Sequence, residues 1–197
     1  MSAQNIIAVY NLATVADNKA GQTWYSRALA FAAQLSEAYN IETTTIVGVI
    51  AALSPRNRWE RNMQDAESMV KVYANGGTCK DLMNLKVCTF KTGKDKAARI
   101  LTDRISDSTE LLATLKGPKL QEFFNCILGD SGDVCIDGHA YSIWLGERVT
   151  LADVPSIGKK LRQTIKADYQ QAAQSLGVQP HVVQAITWCA WRRIHGV

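Results

Sequence analysis

An aspartate and a histidine that follow a short apolar run are the residues best placed to do chemistry. Residues 134–136 read Val-Cys-Ile, Asp137 follows at once, and His139 comes two positions later. A carboxylate carried by a rigid element at the start of a helix can stabilise a developing cation or orient a nucleophile. Asp is also a preferred helix N-cap, and a histidine in the first turn more often has a structural role. Taken alone, the pattern favours the structural interpretation of both residues.

A lysine eighteen positions before Asp137 is the second candidate. Lys119 follows Lys116, Gly117 and Pro118, and a Gly-Pro turn that opens a helix can present backbone N–H groups to a phosphate. A lysine at such a turn can also act as an amine nucleophile. The alternative is a solvated surface lysine, which the isolated pattern favours.

The third feature is a polar segment, residues 54–62, which we call the arginine loop. It contains three arginines, two asparagines and a tryptophan directly after an apolar run. Arginine pairs with phosphate through its planar fork, and tryptophan can stack on a base or wedge beside it. The alternative is a polar loop whose tryptophan packs inward. The candidate DNA-binding residues here are Ser54, Arg56, Asn57, Arg58, Trp59, Arg61 and Asn62, with Lys116 and Gly117 added from the turn before Lys119.

The elements that must position these residues read as helices. Apolar residues recur with a helical period through most of the chain, so we expect a mostly α protein of about ten helices. The run 45–53 is almost wholly apolar and fits a buried strand or a buried helix, and its alanines favour the helix. Residues 129–133 read as a polar turn and 134–136 as a short extended piece. The predicted helices are 21–39, 45–53, 59–73, 94–105, 108–115, 119–128, 138–145, 159–176 and 180–194.

Composition limits the class of protein. The chain has 197 residues, 47% of them hydrophobic, which is enough for one domain with a core or two small lobes. A net charge of +4 permits nucleic-acid binding without requiring it. The five cysteines include no C-x-x-C pair, so no metal site or iron–sulfur cluster is signalled, and we expect no cofactor. Neither a leader peptide nor a membrane-spanning run is visible, which predicts a reduced, cytoplasmic protein without a membrane partner.

Taken together, these segments resemble the endonuclease III branch of the helix-hairpin-helix (HhH-GPD) DNA glycosylases. In that family a buried helix ends in Leu-Ser before a polar loop that bears on the DNA lesion. A Lys-Ala helix follows, and then a glycine hairpin with a lysine. After the hairpin, an Asp-x-His segment leads into a helix that ends in Leu-Gly. The matching parts here are 46–73, 96–101, Lys119 and 136–146, with Lys119 at the family's spacing from the aspartate.

The chain departs from this pattern at the hairpin. The family's apolar-Pro-Gly-x-Gly is replaced by Thr114-Leu115-Lys116-Gly117, which keeps one glycine and loses the other. A second stretch, 154–160, looks more like a hairpin locally but follows the aspartate, where the family does not place it. Which of 114–119 and 154–160 is the true hairpin stays open. The cysteine-ligated cluster of many family members is absent.

The resemblance implies one HhH-GPD-like domain over 1–197, made of two helical lobes. One lobe is 44–128 with the hairpin, and the other is 1–43 with 129–197. The implied activity is excision of a damaged or modified base from double-stranded DNA with the base flipped out, with or without lyase activity. Asp137, Lys119 and His139 are the implied catalytic residues, and we expect a monomer.

Two other functions stay open at this point. One is a transferase that modifies a base in phage DNA on the same fold, because the end of the chain is similar to small phage proteins. The protein would then be phage-encoded and act in the host cytoplasm. The other is a DNA-binding module that kept the hairpin and lost the chemistry.

Overall fold

A computed structural model describes residues 2–129 and 132–197. Within them the chain forms twelve helices and no strand, which confirms the predicted mostly α class. The helices are α1 (Ser2–Asn11), α2 (Val15–Gln22), α3 (Trp24–Tyr39), α4 (Thr43–Leu53), α5 (Trp59–Ala74), α6 (Cys79–Asn84), α7 (Lys91–Thr102), α8 (Ser108–Leu115), α9 (Pro118–Leu128), α10 (Gly138–Leu145), α11 (Lys159–Leu176) and α12 (Pro180–His195).

The described chain divides into two compact units. Residues 1–26 and 129–197 form one, which we call the terminal unit, and residues 27–128 form the central unit. The earlier prediction of lobes that divide at residue 43 stays a prediction.

The central unit is built around α4. Every residue of α4 from Thr45 to Leu53 is buried, and α5, α7, α8 and α9 all pack against it. The ambiguous run 45–53 is therefore a buried helix. Gly48 permits this close packing, because a Cβ there would lie 2.8 Å from the side chain of Leu111 on α8.

The core of the terminal unit brings together α1, α10, α11 and α12. Ile6, Ile143, Tyr169 and Trp191 are among its buried residues. The two N-terminal helices were not predicted as such. The structure gives α1 and α2, and the predicted helix 21–39 is broken at Thr23, whose hydroxyl donates to the carbonyl oxygen of Lys19 (3.0 Å). The apolar residues that predicted this helix begin at Trp24, after the break, so the pattern did not show where α2 ends.

Two short helices begin with the same cap. Thr14 and Asp17 form a reciprocal capping box at the start of α2, and Thr78 and Asp81 form one at the start of α6. A Thr-x-x-Asp pattern marks both sites in the sequence, and it is the signal by which α2 and α6 could have been predicted.

The segment after α9 is described only in part. The predicted polar turn 129–133 includes Asp130 and Ser131, which lie outside the described residues. Residues 134–136 are buried and carry no helix or strand. Among the described helices, none is both long and apolar enough to cross a membrane.

Candidate active site around Asp137

The segment that carries Asp137 is held in place by one face of α11. Arg162 donates from Nη1 to the carbonyl oxygen of Ile136 (3.0 Å), and Lys166 pairs with Asp133 (2.5 Å). Gln170 donates to the carbonyl oxygen of Gly132 (3.0 Å). These three side chains recur every four residues, so they lie along one face of the helix. The backbone in front of Asp137 is thus fixed by a separate element.

Both oxygens of the Asp137 carboxylate accept hydrogen bonds. Oδ1 accepts from the backbone N–H of Ala140 (2.8 Å), which makes Asp137 the N-cap of α10. Oδ2 accepts from the indole N–H of Trp188 on α12 (3.2 Å). Asp137 therefore does cap α10, but this capping uses only one of its two carboxylate oxygens. Asp137 as a whole residue is partly exposed.

Aromatic and cationic groups surround Trp188. The Trp24 ring lies 5.0 Å from it in a tilted arrangement, and the His139 ring lies edge-on at 6.1 Å. The Arg192 guanidinium stands over the Trp188 ring, 4.6 Å from its centroid. We call Asp137 with these four residues the Trp188 cluster. His139, in the first turn of α10, therefore contributes a ring that packs against Trp188.

Two other titratable groups close to the cluster are held in their neutral forms. Burial raises the pKa of the Tyr169 phenol, and the negative charge of Asp137 raises it further against a contribution from Thr187. Burial also raises the pKa of the Cys189 thiol to about 11, with the charge of Asp17 adding to the effect. A thiol with such a pKa is a poor nucleophile at neutral pH. Neither Tyr169 nor Cys189 is therefore suited to act as an anion at neutral pH.

The arginine loop lies in the central unit and is organised by Asp65. The Asp65 carboxylate is buried and accepts from Asn57 Nδ2 (3.0 Å), Arg61 Nε (2.7 Å) and the backbone N–H of Cys88 (2.8 Å). Arg61 also donates from Nη2 to the carbonyl oxygen of Lys86 (3.1 Å). This one carboxylate joins the arginine loop to the segment before α7.

The polar residues of the loop divide into those with internal partners and those facing outward. Asn62 donates to the carbonyl oxygen of Ile50 (3.1 Å), and the Ser54 hydroxyl donates to that of Ala51 (2.9 Å). Arg56 and Arg58 are exposed, and Trp59 is partly buried as the first residue of α5. All three loop arginines are thus exposed, and the guanidinium of Arg61 is in addition bound to Asp65 and to the carbonyl oxygen of Lys86.

Arg56 adopts an uncommon backbone conformation. Its φ of 57° lies in the left-handed region, which a residue other than glycine rarely adopts. Thr89 Oγ1 donates to the carbonyl oxygen of Pro55 (3.2 Å), and the Arg56 guanidinium stands 5.1 Å from the centre of the exposed Phe90 ring. Contacts with the neighbouring segment therefore hold the turn that presents Arg56.

Residues 114–119 contain a two-residue turn between helices. α8 ends at Leu115 and α9 begins at Pro118, so only Lys116 and Gly117 join them. Lys116 has φ 39° and Gly117 has φ 126°, a value that requires glycine. By contrast, α10 and α11 are joined by residues 146–158, so 154–158 lie in a longer connection and residues 159 and 160 begin α11.

The lysines at this turn differ in their surroundings. Lys119 is exposed in the first turn of α9, so the protein alone does not provide the burial that would activate its amine. Lys96 donates to the carbonyl oxygens of Leu115 and Lys116 at the end of α8. Burial lowers the pKa of Lys96, and the positive charge of Lys116 lowers it further. Lys96 is therefore a second amine that belongs to the turn.

The candidate residues fall into both units. Asp137 and His139 belong to the terminal unit, whereas the arginine loop and Lys119 belong to the central unit. The pairing of Lys119 with Asp137 stays a prediction from spacing. Sequence reasoning missed Trp188, Arg192, Asp65 and Lys96. A Trp and an Arg four residues apart on α12 are a weak signal for a shared face, and nothing local marks their contact with Asp137.

No cluster of three or more His, Cys, Asp or Glu side chains that could hold a metal ion occurs in the parts of the chain that the structure describes.

The fold and this cluster define a mostly α protein with an oriented carboxylate, on a partly exposed residue, beside aromatic rings. The chain belongs to a family of unknown function, DUF7178, whose family model matches residues 1–195. No curated protein and no solved structure matches the chain.

Proposed function

We propose that this protein is a DNA base-processing enzyme, a DNA N-glycosylase with an HhH-GPD-like fold that excises a damaged or modified base. The observation that carries the proposal is the Asp137 carboxylate, which is bound at one oxygen by the N-terminus of α10 and at the other by Trp188. A simple N-cap needs one acceptor oxygen. A catalytic carboxylate needs a fixed orientation and must be reachable, and the two hydrogen bonds and partial exposure of Asp137 support this role.

The pair of helices α8 and α9, with the two-residue turn between them, supports the same proposal. Its turn contains a glycine with positive φ and a strained lysine, and backbone N–H groups open α9. Such a turn can approach a phosphate closely, because glycine adds no side chain and helix N-termini attract anions. Together with the sequence resemblance, this favours 114–119 over 154–160 as the hairpin.

In the proposed reaction, the enzyme flips the target base out of the duplex. The C1′–N bond breaks, its electrons leave with the base, and the sugar passes through an oxocarbenium-like state. The Asp137 carboxylate stabilises this cation. In a monofunctional enzyme, water then adds to C1′, and the proton that it loses goes to the departed base. In a lyase, the neutral Lys119 amine adds to C1′ instead and gives one proton to the departed base. The C1′–O4′ bond then breaks, O4′ takes the second amine proton, and the lysine nitrogen and C1′ are left as a Schiff base.

DNA contacts in this proposal come from the exposed cations of the central unit. Arg56, Arg58, Arg61 and Lys116 are all exposed, but the guanidinium of Arg61 is already bound to Asp65 and to the carbonyl oxygen of Lys86. Arginine residues that face outward can form forked contacts with phosphate oxygens. Arg61, Asn57 and Asn62 then support the arginine loop from within.

Product analysis on modified DNA tests the proposal. The purified protein and Asp137→Asn would be incubated with duplexes that carry damaged bases, phage-type modified bases or abasic sites. The nucleosides and free bases would then be analysed by mass spectrometry. We expect release of a free base by the wild type alone.

The other outcomes identify the competing functions. A nucleoside of increased mass, formed in the presence of an amine donor, would indicate the transferase, with Asp137 activating the amine. If the protein binds DNA but yields neither a free base nor a modified nucleoside, it is a DNA-binding module and the enzymatic proposal is contradicted.

A further inference from the structure

The second hydrogen bond of Asp137 is not required by its capping role. Ala140 already satisfies the cap through Oδ1, and Trp188 reaches Oδ2 from α12, 51 residues away in the sequence. We propose that Trp188 is a positioning residue that fixes the plane of the Asp137 carboxylate, with Arg192 strengthening its hydrogen bond. This inference rests on the proposed function, because it assigns Trp188 a role in that reaction.

Two hydrogen-bond donors from two helices fix the orientation of the Asp137 carboxylate, which one donor alone cannot do. A carboxylate held by a single hydrogen bond can still rotate about its Cβ–Cγ bond, and its free oxygen then samples several positions. The N–H of Ala140 belongs to α10 and the indole N–H belongs to α12, so both oxygens are restrained by different helices. Restraint of this kind keeps the negative charge where a cation develops during reaction.

Arg192 improves Trp188 as a donor. Its guanidinium lies over the indole ring, 4.6 Å from the centroid, where a cation is attracted by the electron density of the ring face. The positive charge polarises the indole and makes its N–H a stronger hydrogen-bond donor. Arg192 thus acts on Asp137 through Trp188.

The Trp188 ring has packing contacts that do not depend on its N–H. Trp24 lies 5.0 Å away and His139 lies 6.1 Å away. Trp188→Phe therefore retains an aromatic ring in this place while it removes the donor. A second pair in the same unit supplies a matched control, because Trp144 donates its indole N–H to Asp168 Oδ2 (2.6 Å).

A spectroscopic experiment tests the bond without any substrate. The indole N–H resonances of the ¹⁵N-labelled full chain would be assigned with Trp188→Phe and Trp144→Phe and then recorded in Asp137→Asn. Asparagine has one acceptor oxygen and cannot serve both donors. We expect the Trp188 resonance to move while that of Trp144 stays in place. An unmoved Trp188 resonance would show that the bond is absent and overturn the inference.

A kinetic experiment tests the role. We expect Trp188→Phe to lower kcat about 10-fold or more with little change in KM, as for loss of one donor to a charged group. Arg192→Met should lower kcat in the same direction by a smaller factor, and Trp144→Phe should leave it unchanged. Melting temperatures of the variants control for loss of fold.

The outcomes separate this inference from the proposed function. A wild-type kcat in Trp188→Phe beside an inactive Asp137→Asn would reject the positioning role and leave the proposed function intact. If Asp137→Asn turned over substrate like the wild type, the catalytic assignment of Asp137 would fail. The Trp188 bond, if seen by spectroscopy, would then be a capping contact only, and the positioning role would fail with it.

Discussion

Asp137 combines two roles that a single substitution can separate. Asparagine is about as good an N-cap as aspartate, so Asp137→Asn keeps the cap of α10 and removes the charge. We expect a rate loss of about 10²-fold or more, because the charge no longer stabilises the developing cation. DNA affinity should be retained. Single-turnover base release and a binding titration measure the two effects.

A second aspartate cap serves as the control for this variant. Asp107 accepts from the backbone N–H of Glu110 (3.0 Å) at the start of α8. Asp107→Asn should leave the rate of base release unchanged. Wild-type activity in Asp137→Asn on a verified substrate would show that Asp137 is only a cap.

Lys119 is the residue expected to form a covalent intermediate if the enzyme is a lyase. Its amine is exposed, so only bound DNA can bury it beside the flipped sugar and make it reactive. Borohydride should trap a protein–DNA adduct on an abasic or damaged duplex, and Lys119→Ala should abolish it. Denaturing electrophoresis detects the adduct.

The alternatives to Lys119 are defined by the turn that it follows. An adduct that persists in Lys119→Ala would point to Lys116 or to Lys96, which lies against the end of α8. Base release without any adduct would make water the nucleophile and leave Lys119 as a phosphate contact.

At the scale of the element, the arginine loop should determine the salt dependence of DNA binding. Each phosphate contact that is lost reduces the slope of log K against log salt by about one. We expect Arg56→Ala and Arg58→Ala each to give this change, because both side chains are exposed and, unlike Arg61 and Arg99, neither pairs with a carboxylate among the described residues. Binding titrations at several salt concentrations provide the slopes.

Arg61 should behave differently because Asp65 and Lys86 bind it within the central unit. Arg61→Ala should weaken binding by disturbing the loop and should also lower the melting temperature. Arg99, an exposed arginine paired with Asp103 on α7, provides a control whose removal should leave the slope unchanged. Binding by the wild type that is insensitive to salt would eliminate the nucleic-acid interpretation altogether.

At the scale of the whole molecule, Asp17 links the start of the chain to its end. Its Oδ2 atom accepts from the backbone N–H of Thr14 (2.8 Å) and from Arg193 on α12 (2.8 Å). Burial by itself raises the pKa of Asp17, but the hydrogen bonds from Thr14 and Arg193 and the charge of Arg193 outweigh it, so the pKa is lowered. The folded state therefore favours the ionised carboxylate.

The sign of the resulting pH dependence follows from this lowered pKa. The stabilisation by Asp17 is fully present above the unfolded-state pKa near 3.8 and is lost as the pH falls through the lower folded-state value. Asp17→Asn should reduce the free energy of unfolding by about 1–2 kcal/mol at neutral pH. The difference from wild type should shrink as the pH falls below about 4. Urea unfolding across this range measures it.

Asp81 is the matched control for Asp17. It forms the same capping box with Thr78 at the start of α6, but it is exposed and has no arginine among its hydrogen-bond partners there. Asp81→Asn should cost less than Asp17→Asn at neutral pH. Equal effects would show that Arg193 adds nothing to the Asp17 cap.

The sequence by itself determined the features that depend on neighbouring residues. The alanines of the apolar run 45–53 favoured a buried helix at α4, and the helical period predicted α11 with its observed bounds. Asp137 was expected as an N-cap because capping involves residues only three positions away. Short helices such as α6 escaped prediction because they contain too few turns for a period to be visible. Local hydrogen bonding and side-chain spacing depend only on residues close together in the sequence, so they can be predicted without knowledge of the fold.

Only the tertiary structure decided which distant groups meet. Trp188 contacts Asp137 although the two are 51 residues apart in the sequence. The Asp65 carboxylate accepts hydrogen bonds from Asn57, Arg61 and the backbone N–H of Cys88. Such contacts follow from how helices pack, and packing is set by the combined burial of many side chains in the core. No local pattern therefore showed that Asp137 is bound at both oxygens, or that Arg61 supports its loop from within.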